Sequence, residues 1–438
     1  MKRLVRLNFL RLSGSLSSQT ARNAISSFIA LGWLSLLSLI TIPIYIRILG
    51  VSEWGLVAAC ASLQIFSNFI DAGFSQIVPR WAAQESQHPA RLRRYVVLFQ
   101  RLYVALGLTM FVMLQASAGY LAHQWFQVQV DRAASLELAI RIVSFQFLFQ
   151  FVNNLNVGLW HGLQHQVQAN VRACFFGTLK HASTLLALTV GLQQAWVYAL
   201  SFAFVACVEL CFNTFSVRRM LGNEKNDVGV DKVHLIPLLK EVFLLSGGIL
   251  VGLLVSQLDR IILSRSVDVS SFGIYTVIST LAFAFLQLQT PITRAYFPLM
   301  VRDIQKQGYI SNFHMKRLLT GTILASSLPA LLAFVFAPHI LEFWLRDPEV
   351  INVGTMPLRL LLLAVALNSL YGCIYQVIIA RGCSQLVLQF NMISLVIAFL
   401  VVFFFGVEKG LLLGGVIWIS NTITQISLGA LWFVKTQR

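Results

Sequence analysis

Charge is scarce in this chain, and acidic charge most of all. Only 11% of its 438 residues are charged, with 17 Asp and Glu against 33 Lys and Arg. Soluble domains carry about 25% charged residues, so a soluble globular protein is excluded. Phosphate-loop spacing (GxxxxGK followed by Ser or Thr) is missing, which argues against ATP hydrolysis by this chain. GxSxG and HExxH are missing as well, and no aqueous loop holds a paired carboxylate, so the expectation is a protein that is not an enzyme. The eight histidines have no metal-ligand spacing, and neither a metal nor a cofactor is expected. Cys207 and Cys211 sit one helical turn apart without Cys or His companions, and are read as small buried hydrophobes. The first apolar run is too long for a cleaved signal peptide and lacks a small-residue cleavage site.

Apolar residues take the vacated place. They make up 57% of the chain, and the mean hydropathy is +0.74. The expected fold class is an all-α integral membrane protein of about twelve transmembrane helices in two pseudo-symmetric six-helix bundles. The spans are placed near 24–46, 54–79, 98–121, 137–160, 171–192, 195–217, 243–264, 272–298, 318–341, 355–379, 385–406 and 411–434. The basic residues sort onto alternate loops. Lys2, Arg3, Arg6, Arg91, Arg93, Arg94, Arg218, Arg219, Lys306, Lys316 and Arg317 fall on one side, whereas Arg47, Arg132, Arg265, Arg346 and Lys409 fall on the other. The positive-inside rule then puts both termini in the cytoplasm. The net charge of +16 reads as topogenic charge meeting anionic lipid, and no nucleic-acid partner is expected. The segment from Lys2 to Leu12 fits a short basic helix along the membrane surface.

The chain repeats itself. Arg47-Ile48-Leu49-Gly50-Val51-Ser52-Glu53-Trp54-Gly55 aligns with Arg265-Ser266-Val267-Asp268-Val269-Ser270-Ser271-Phe272-Gly273 at an offset of about 218. Arg141 pairs with Arg359 at the same offset, and Pro79 with Pro298 one residue away. The longest polar interruption, from Arg218 to Val233, falls at the midpoint. The expected organisation is a basic arm (1–22), an N-terminal six-helix lobe (23–217), a cytoplasmic linker (218–235) and a C-terminal lobe (236–438). An even number of spans in each half makes the lobes parallel repeats, an architecture of transporters. The loops leave no room for an extramembrane catalytic domain.

Polar groups are costly in hydrocarbon, so their spacing marks faces turned away from lipid. Gln64, Asn68, Asp71 and Ser75 form one face of span 2, and Gln287, Thr290 and Arg294 recur on span 8. Interhelical pairing is the better account of the amides taken alone, but Asp71 and Arg294 favour a cavity. Lys180, with His181 beside it, is the deepest cation, and Glu209 on span 6 is placed to neutralise it if the helices adjoin. Asp259 and Arg260 lie near the outer end of span 7, where snorkelling would satisfy them. Arg141 and Arg359 sit one turn inside repeat-related spans, and Pro43, Pro291 and Pro329 are candidate bending points.

Asn23, Pro43, Arg47-x-Leu49-Gly50, Gly55 and the Asp71–Phe74 run, with Asp259-Arg260 and Pro291-x-x-Arg294-x-x-Phe297-Pro298, resemble the pattern of Wzx-type polysaccharide (O-antigen) flippases. These belong to a superfamily with the MATE multidrug exporters and the lipid II flippase. Gly162 and Gly382 agree with the pattern, although Gln164 and His165 replace the usual basic residues. The resemblance implies a bacterial inner-membrane protein that moves a polyprenyl-diphosphate-linked oligosaccharide from the cytoplasmic to the periplasmic leaflet by alternating access. It also implies the polysaccharide polymerase and chain-length machinery as partners in the same pathway. On that reading Arg141, Lys180, Arg260, Arg294 and Arg359 are the candidates for the diphosphate, because guanidinium and ammonium groups bind such anions well when partly desolvated. Asp71, Glu209 and Asp259 are the candidates for coupling to a proton or sodium gradient, with Asn68 and Gln287 as polar cavity residues. A MATE-type exporter of organic cations would want a net acidic cavity, a lipid II flippase differs only in family motifs, and a membrane glycosyltransferase would need a larger outer loop.

Overall fold

The computed structural model describes residues 2–71, 74–222 and 235–436. Most of the linker expected at 218–235, and the Ala72-Gly73 centre of the Asp71–Phe74 run, lie outside the described residues. Everything regular among the described residues is helical, as hydrocarbon requires of a chain that must satisfy its own backbone groups. Among the described residues, ten helical stretches are long and apolar enough to cross a membrane. The first of them, Ile25–Asp71, bends at Gly50, and α8 (Leu235–Ser266) lies beyond the ten, so each of the twelve expected spans has a helical counterpart.

The first half contains α1 (Lys2–Ser62), α2 (Gln64–Asp71), α3 (Phe74–Gln84), α4 (Pro89–Tyr120), α5 (Val130–Gly162), α6 (Gln166–Val190) and α7 (Ala195–Leu221). The segment expected as a surface helix is instead continuous with the first span inside α1. The second half contains α8, then α9 (Val269–Gln287), α10 (Thr290–Gln307), α11 (Asn312–Thr322) and α12 (Leu328–Val335). It ends with α13 (Ala337–Leu345), α14 (Pro348–Ala380), α15 (Ser384–Phe405) and α16 (Leu412–Thr436). Span 9 is thus not one even helix: a π-helical turn at Ile323–Ser327 precedes Pro329, and α13 follows separately. A proline in the first turn of α12 cannot donate to the preceding turn, which accounts for the wider ring there.

The two halves pack by one plan. α5 lies against α7, α4 and α3, as α14 lies against α16, α12 and α10; α1 pairs with α6 as α8 pairs with α15. Outward faces stay apolar, with Phe403, Phe404, Val112 and Met113 well exposed, and lipid is the solvent that suits them.

The sequence repeat is also the seam between the halves. α1 packs on α9, and Ser270 Oγ lies 3.4 Å from Ser52 Oγ, its own repeat partner. Gly55 and Gly273, likewise partners, meet backbone to backbone. A Cβ on Gly273 would stand 2.8 Å from Gly55 Cα, and one on Gly55 would stand 2.4 Å from the Val269 carbonyl oxygen. The approach to the seam differs between copies. Gly50 turns the chain with φ 79° and ψ 163°, a conformation open to glycine. Its counterpart Asp268 instead caps α9, its carboxylate accepting from Ser271 N at 2.9 Å. The same end is tied further by Val269 N donating to Gln127 O at 3.0 Å and by Trp125 Nε1 donating to Ser264 Oγ at 3.1 Å.

Candidate functional site

The second span of the second half is interrupted: α9 ends at Gln287 and α10 begins at Thr290. Pro291, in the first turn of α10, has no N–H to carry the α9 ladder onward. By the repeat offset of 218, Gln289 in this interruption corresponds to Asp71 of the first half.

Around Gln289 the second half holds a cavity of about 380 Å³. One wall is Gln289, Thr290, Thr293 and Arg294, from the α9–α10 break. The other is a face of α14 bearing Asn368, Tyr371, Tyr375 and Gln376. Gly372 lets the walls close, since a Cβ there would fall 2.9 Å from Gln289 Oε1. Among the described residues, Arg294 is the one charged residue of the lining. It is exposed, and its guanidinium lies 5.6 Å from the Phe28 ring of α1, in the opposite half. The start of α10 adds the positive end of a helix dipole beside that guanidinium. The arrangement is chemically suited to an anion at its mouth and hydroxyl-bearing groups within.

The first-half counterpart is closed upon itself. Asp71 Oδ1 accepts from Tyr103 OH at 3.0 Å and Oδ2 from Asn154 Nδ2 at 2.9 Å. Asn68, one turn earlier, is exposed, as is Ser75 on α3, whereas Gln64 and Asp71 are half-buried. Gln287 is exposed too and accepts from Thr290 Oγ1 at 3.4 Å.

The remaining candidates lie apart from the cavity. Lys180 Nζ and Glu209 Oε2 are 2.8 Å apart, with 15% and 14% of their side chains exposed. Glu209 Oε1 also accepts from Asn153 Nδ2 at 3.1 Å, and Asn153 Oδ1 in turn accepts from Asn213 at 3.0 Å. This ladder joins α5, α6 and α7 inside the first half. Arg141 bonds Glu137 at 2.7 Å and reaches Gln115 on α4. Arg359, its repeat partner, donates instead to the Phe334 carbonyl at 3.3 Å. Asp259 is 1% exposed and accepts from Tyr275 OH, while Arg260 donates to Ser279 Oγ at 3.3 Å. The structure thus pairs Lys180 with Glu209, places Arg294 at the cavity, and leaves Arg141, Arg359, Asp259 and Arg260 with other partners.

Gln289, Asn368, Tyr371, Tyr375 and Gln376 were not singled out by the sequence reading. Two signals point to them: the 218-residue offset from Asp71 to Gln289, and the three- and four-residue steps that put Asn368, Tyr371 and Tyr375 on one helix face.

Comparison with known proteins agrees with this architecture. The lipid II flippase MurJ in an inward closed conformation superposes with a TM-score of 0.71 at 12% identity, over 94% of this chain and 87% of that one. A MOP superfamily transporter from Pyrococcus furiosus, described as having a binding pocket of reverse polarity, gives 0.64 at 15% identity over 96% and 94%. An outward-facing MATE family multidrug transporter gives 0.62 at 15% identity over 94% of each chain. At these identities the likeness shows the fold. No curated protein matches in sequence. The family model described as polysaccharide biosynthesis protein matches residues 20–303. That match spans more than half of the sequence, and the chain belongs to the polysaccharide biosynthesis protein family.

Proposed function

We propose that this protein is a flippase that carries a polyprenyl-diphosphate-linked oligosaccharide from the cytoplasmic to the outer leaflet of a bacterial inner membrane. The observation that carries the reading is the placement of Arg294. It borders a cavity otherwise lined by amides, hydroxyls and phenols, next to α1 of the opposite half. A diphosphate wants a guanidinium, a glycan wants neutral hydrogen-bonding groups, and a polyprenyl tail can stay in lipid. With the basic N-terminus cytoplasmic, the Ser52–Ser270 seam closes the outer side and the Arg294 cavity lies toward the cytoplasmic side. Rocking of the halves that parts the seam would then present the head group to the other leaflet. Asp71, a half-buried carboxylate next to the exposed Asn68, is the first candidate for ion coupling. Arg294 is the diphosphate ligand in this scheme, and Lys180–Glu209 is a brace that keeps α5, α6 and α7 together. Transport, not catalysis, is the role that the cavity and the short loops suit, in one pathway with the enzymes that build and polymerise the glycan.

The test is the leaflet distribution of lipid-linked oligosaccharide in cells with and without this chain, read with a membrane-impermeant sugar-modifying reagent. Depletion should strand the glycan on the cytoplasmic side. An unchanged distribution, with altered efflux of cationic dyes, would move the exporter reading ahead.

A further inference from the structure

Two indoles cross between the halves. Trp125 closes the π-helical turn after α4, and its Nε1 donates to Ser264 Oγ on α8 at 3.1 Å. Trp344 lies near the end of α13, and its Nε1 donates to the Leu39 carbonyl of α1 at 2.7 Å. Trp125 and Trp344 are 219 residues apart, one more than the repeat offset. Since α1 and α8 are the first long helices of their halves, the contact is reciprocal: each half grips the first span of the other.

The two grips differ in what they satisfy. Pro43, inside α1, has no N–H to close the helical bond to the Leu39 carbonyl. A carbonyl without a donor is costly at membrane depth, and Trp344 supplies that donor from the opposite half. Ser264 has no such need, because its hydroxyl also donates to the Ile261 carbonyl at 2.8 Å. The Trp125 corner is held by its neighbours as well. Val269 N donates to Gln127 O at 3.0 Å, Gln127 Nε2 donates to Arg265 O at 3.0 Å, and the Arg265 guanidinium lies 5.1 Å from the Trp125 ring. No other hydrogen bond joins α13 to the first half among the described residues.

We propose that Trp344 is the latch of the outer side: its indole keeps the halves shut by pairing the carbonyl that Pro43 leaves without a donor. The proposal rests on the alternating-access reading and names the bond that must break for the outer side to open. Once the halves part, water takes the place of the indole on the Leu39 carbonyl. The sealed state therefore depends on the Trp344 N–H, and the opened state does not. Opening starts at the Trp344 edge, where one bond has to go, while the Trp125 corner still holds.

The test uses the full chain with its six native cysteines replaced and Ser270→Cys as reporter, labelled by an impermeant maleimide applied from outside. Trp344→Phe keeps an aromatic ring, removes the N–H and leaves the Leu39 carbonyl bare in the sealed state alone. It should raise the labelling rate about 5- to 150-fold. Trp125→Phe leaves Ser264 bonded to Ile261 and the Gln127 ties in place, and should raise the rate by about threefold at most. Adding Pro43→Ala to Trp344→Phe gives Leu39 a donor within α1 in both states, and should remove most of the rise. A Trp344→Phe rate no higher than that of Trp125→Phe overturns the latch. So does a rise that Pro43→Ala leaves untouched, because lost packing would then be its cause. Translocation of a lipid-linked oligosaccharide by the wild type, measured in parallel, keeps the two failures apart: its presence leaves the flippase reading standing when the latch falls, and its absence overturns that reading.

Discussion

Alanine at Gly273 is expected to pry open the seam between the halves. The added Cβ would stand 2.8 Å from Gly55 Cα and 3.0 Å from Gly55 N. Carbon atoms in good contact sit about 3.5–4.0 Å apart, so the helices must separate by roughly 0.7 Å or more. Both obstructing atoms are backbone, and no rotamer change can relieve them. Overpacking of this kind costs about 1–3 kcal/mol. The cost falls on the state in which α1 and α9 touch, not on one in which the halves have parted at that end. The population of the sealed state should therefore drop about 5- to 150-fold relative to the opened one. A Ser52→Cys reporter, with the six native cysteines replaced, reads this as the rate of labelling by an impermeant maleimide applied from outside the cell. Gly273→Ala should raise that rate by the same factor, and Gly55→Ala, which drives a Cβ to 2.4 Å from Val269 O, should do at least as much. Unchanged labelling together with an unchanged melting temperature would refute the seam as a gate.

Three further outcomes follow from the same geometry. Ser52→Cys with Ser270→Cys should crosslink under oxidation, given the 3.4 Å between the two hydroxyls, and should block transport until a reductant is added; free transport by the fully crosslinked protein would rule out rocking at this seam. Lys180→Met should lower stability by about 3–5 kcal/mol because Glu209 is left without its cation in the bundle, whereas Lys180→Met with Glu209→Met should recover most of the loss; thermal melts in detergent decide, and a mild single variant would count against the brace. Asp71→Asn keeps the shape that Tyr103 and Asn154 surround but removes the charge. It should abolish the response of transport in liposomes to an imposed proton or sodium gradient, and an intact response would shift coupling to Asp259.

The spans were legible because a run of about 20 apolar residues is a length constraint set by the bilayer. The repeat was legible as a motif, and its offset already paired Ser52 with Ser270. That the two copies touch required the fold, since two parallel lobes can be duplicated without meeting through the duplicated segment. Hydropathy also passed over the breaks. Span 2 read as one helix over 54–79, yet a turn at Leu63 separates α1 from α2, and only local backbone geometry distinguishes a broken apolar helix from a whole one. Lys180 and Glu209 were matched from depth alone, because two opposite charges at one level of a bundle have few alternatives. Arg141 and Arg359 show the limit of that logic. Their repeat relation suggested a shared role, but Glu137 and the Phe334 carbonyl, on whichever neighbour lies nearest, settled where each guanidinium went. Tyr371 and Gln289 went unnoticed because a tyrosine or glutamine in an apolar run reads as packing until its unpaired atom is seen.

The most direct measurement is translocation by the purified chain in liposomes loaded with a fluorescent sugar-bearing polyprenyl diphosphate. An impermeant quencher reports how much of the lipid reaches the outer leaflet. Wild-type protein should speed its appearance well above that in protein-free vesicles, and Arg294→Ala should return it toward background while melting at the wild-type temperature. Equal rates with wild type, Arg294→Ala and empty vesicles would contradict the account.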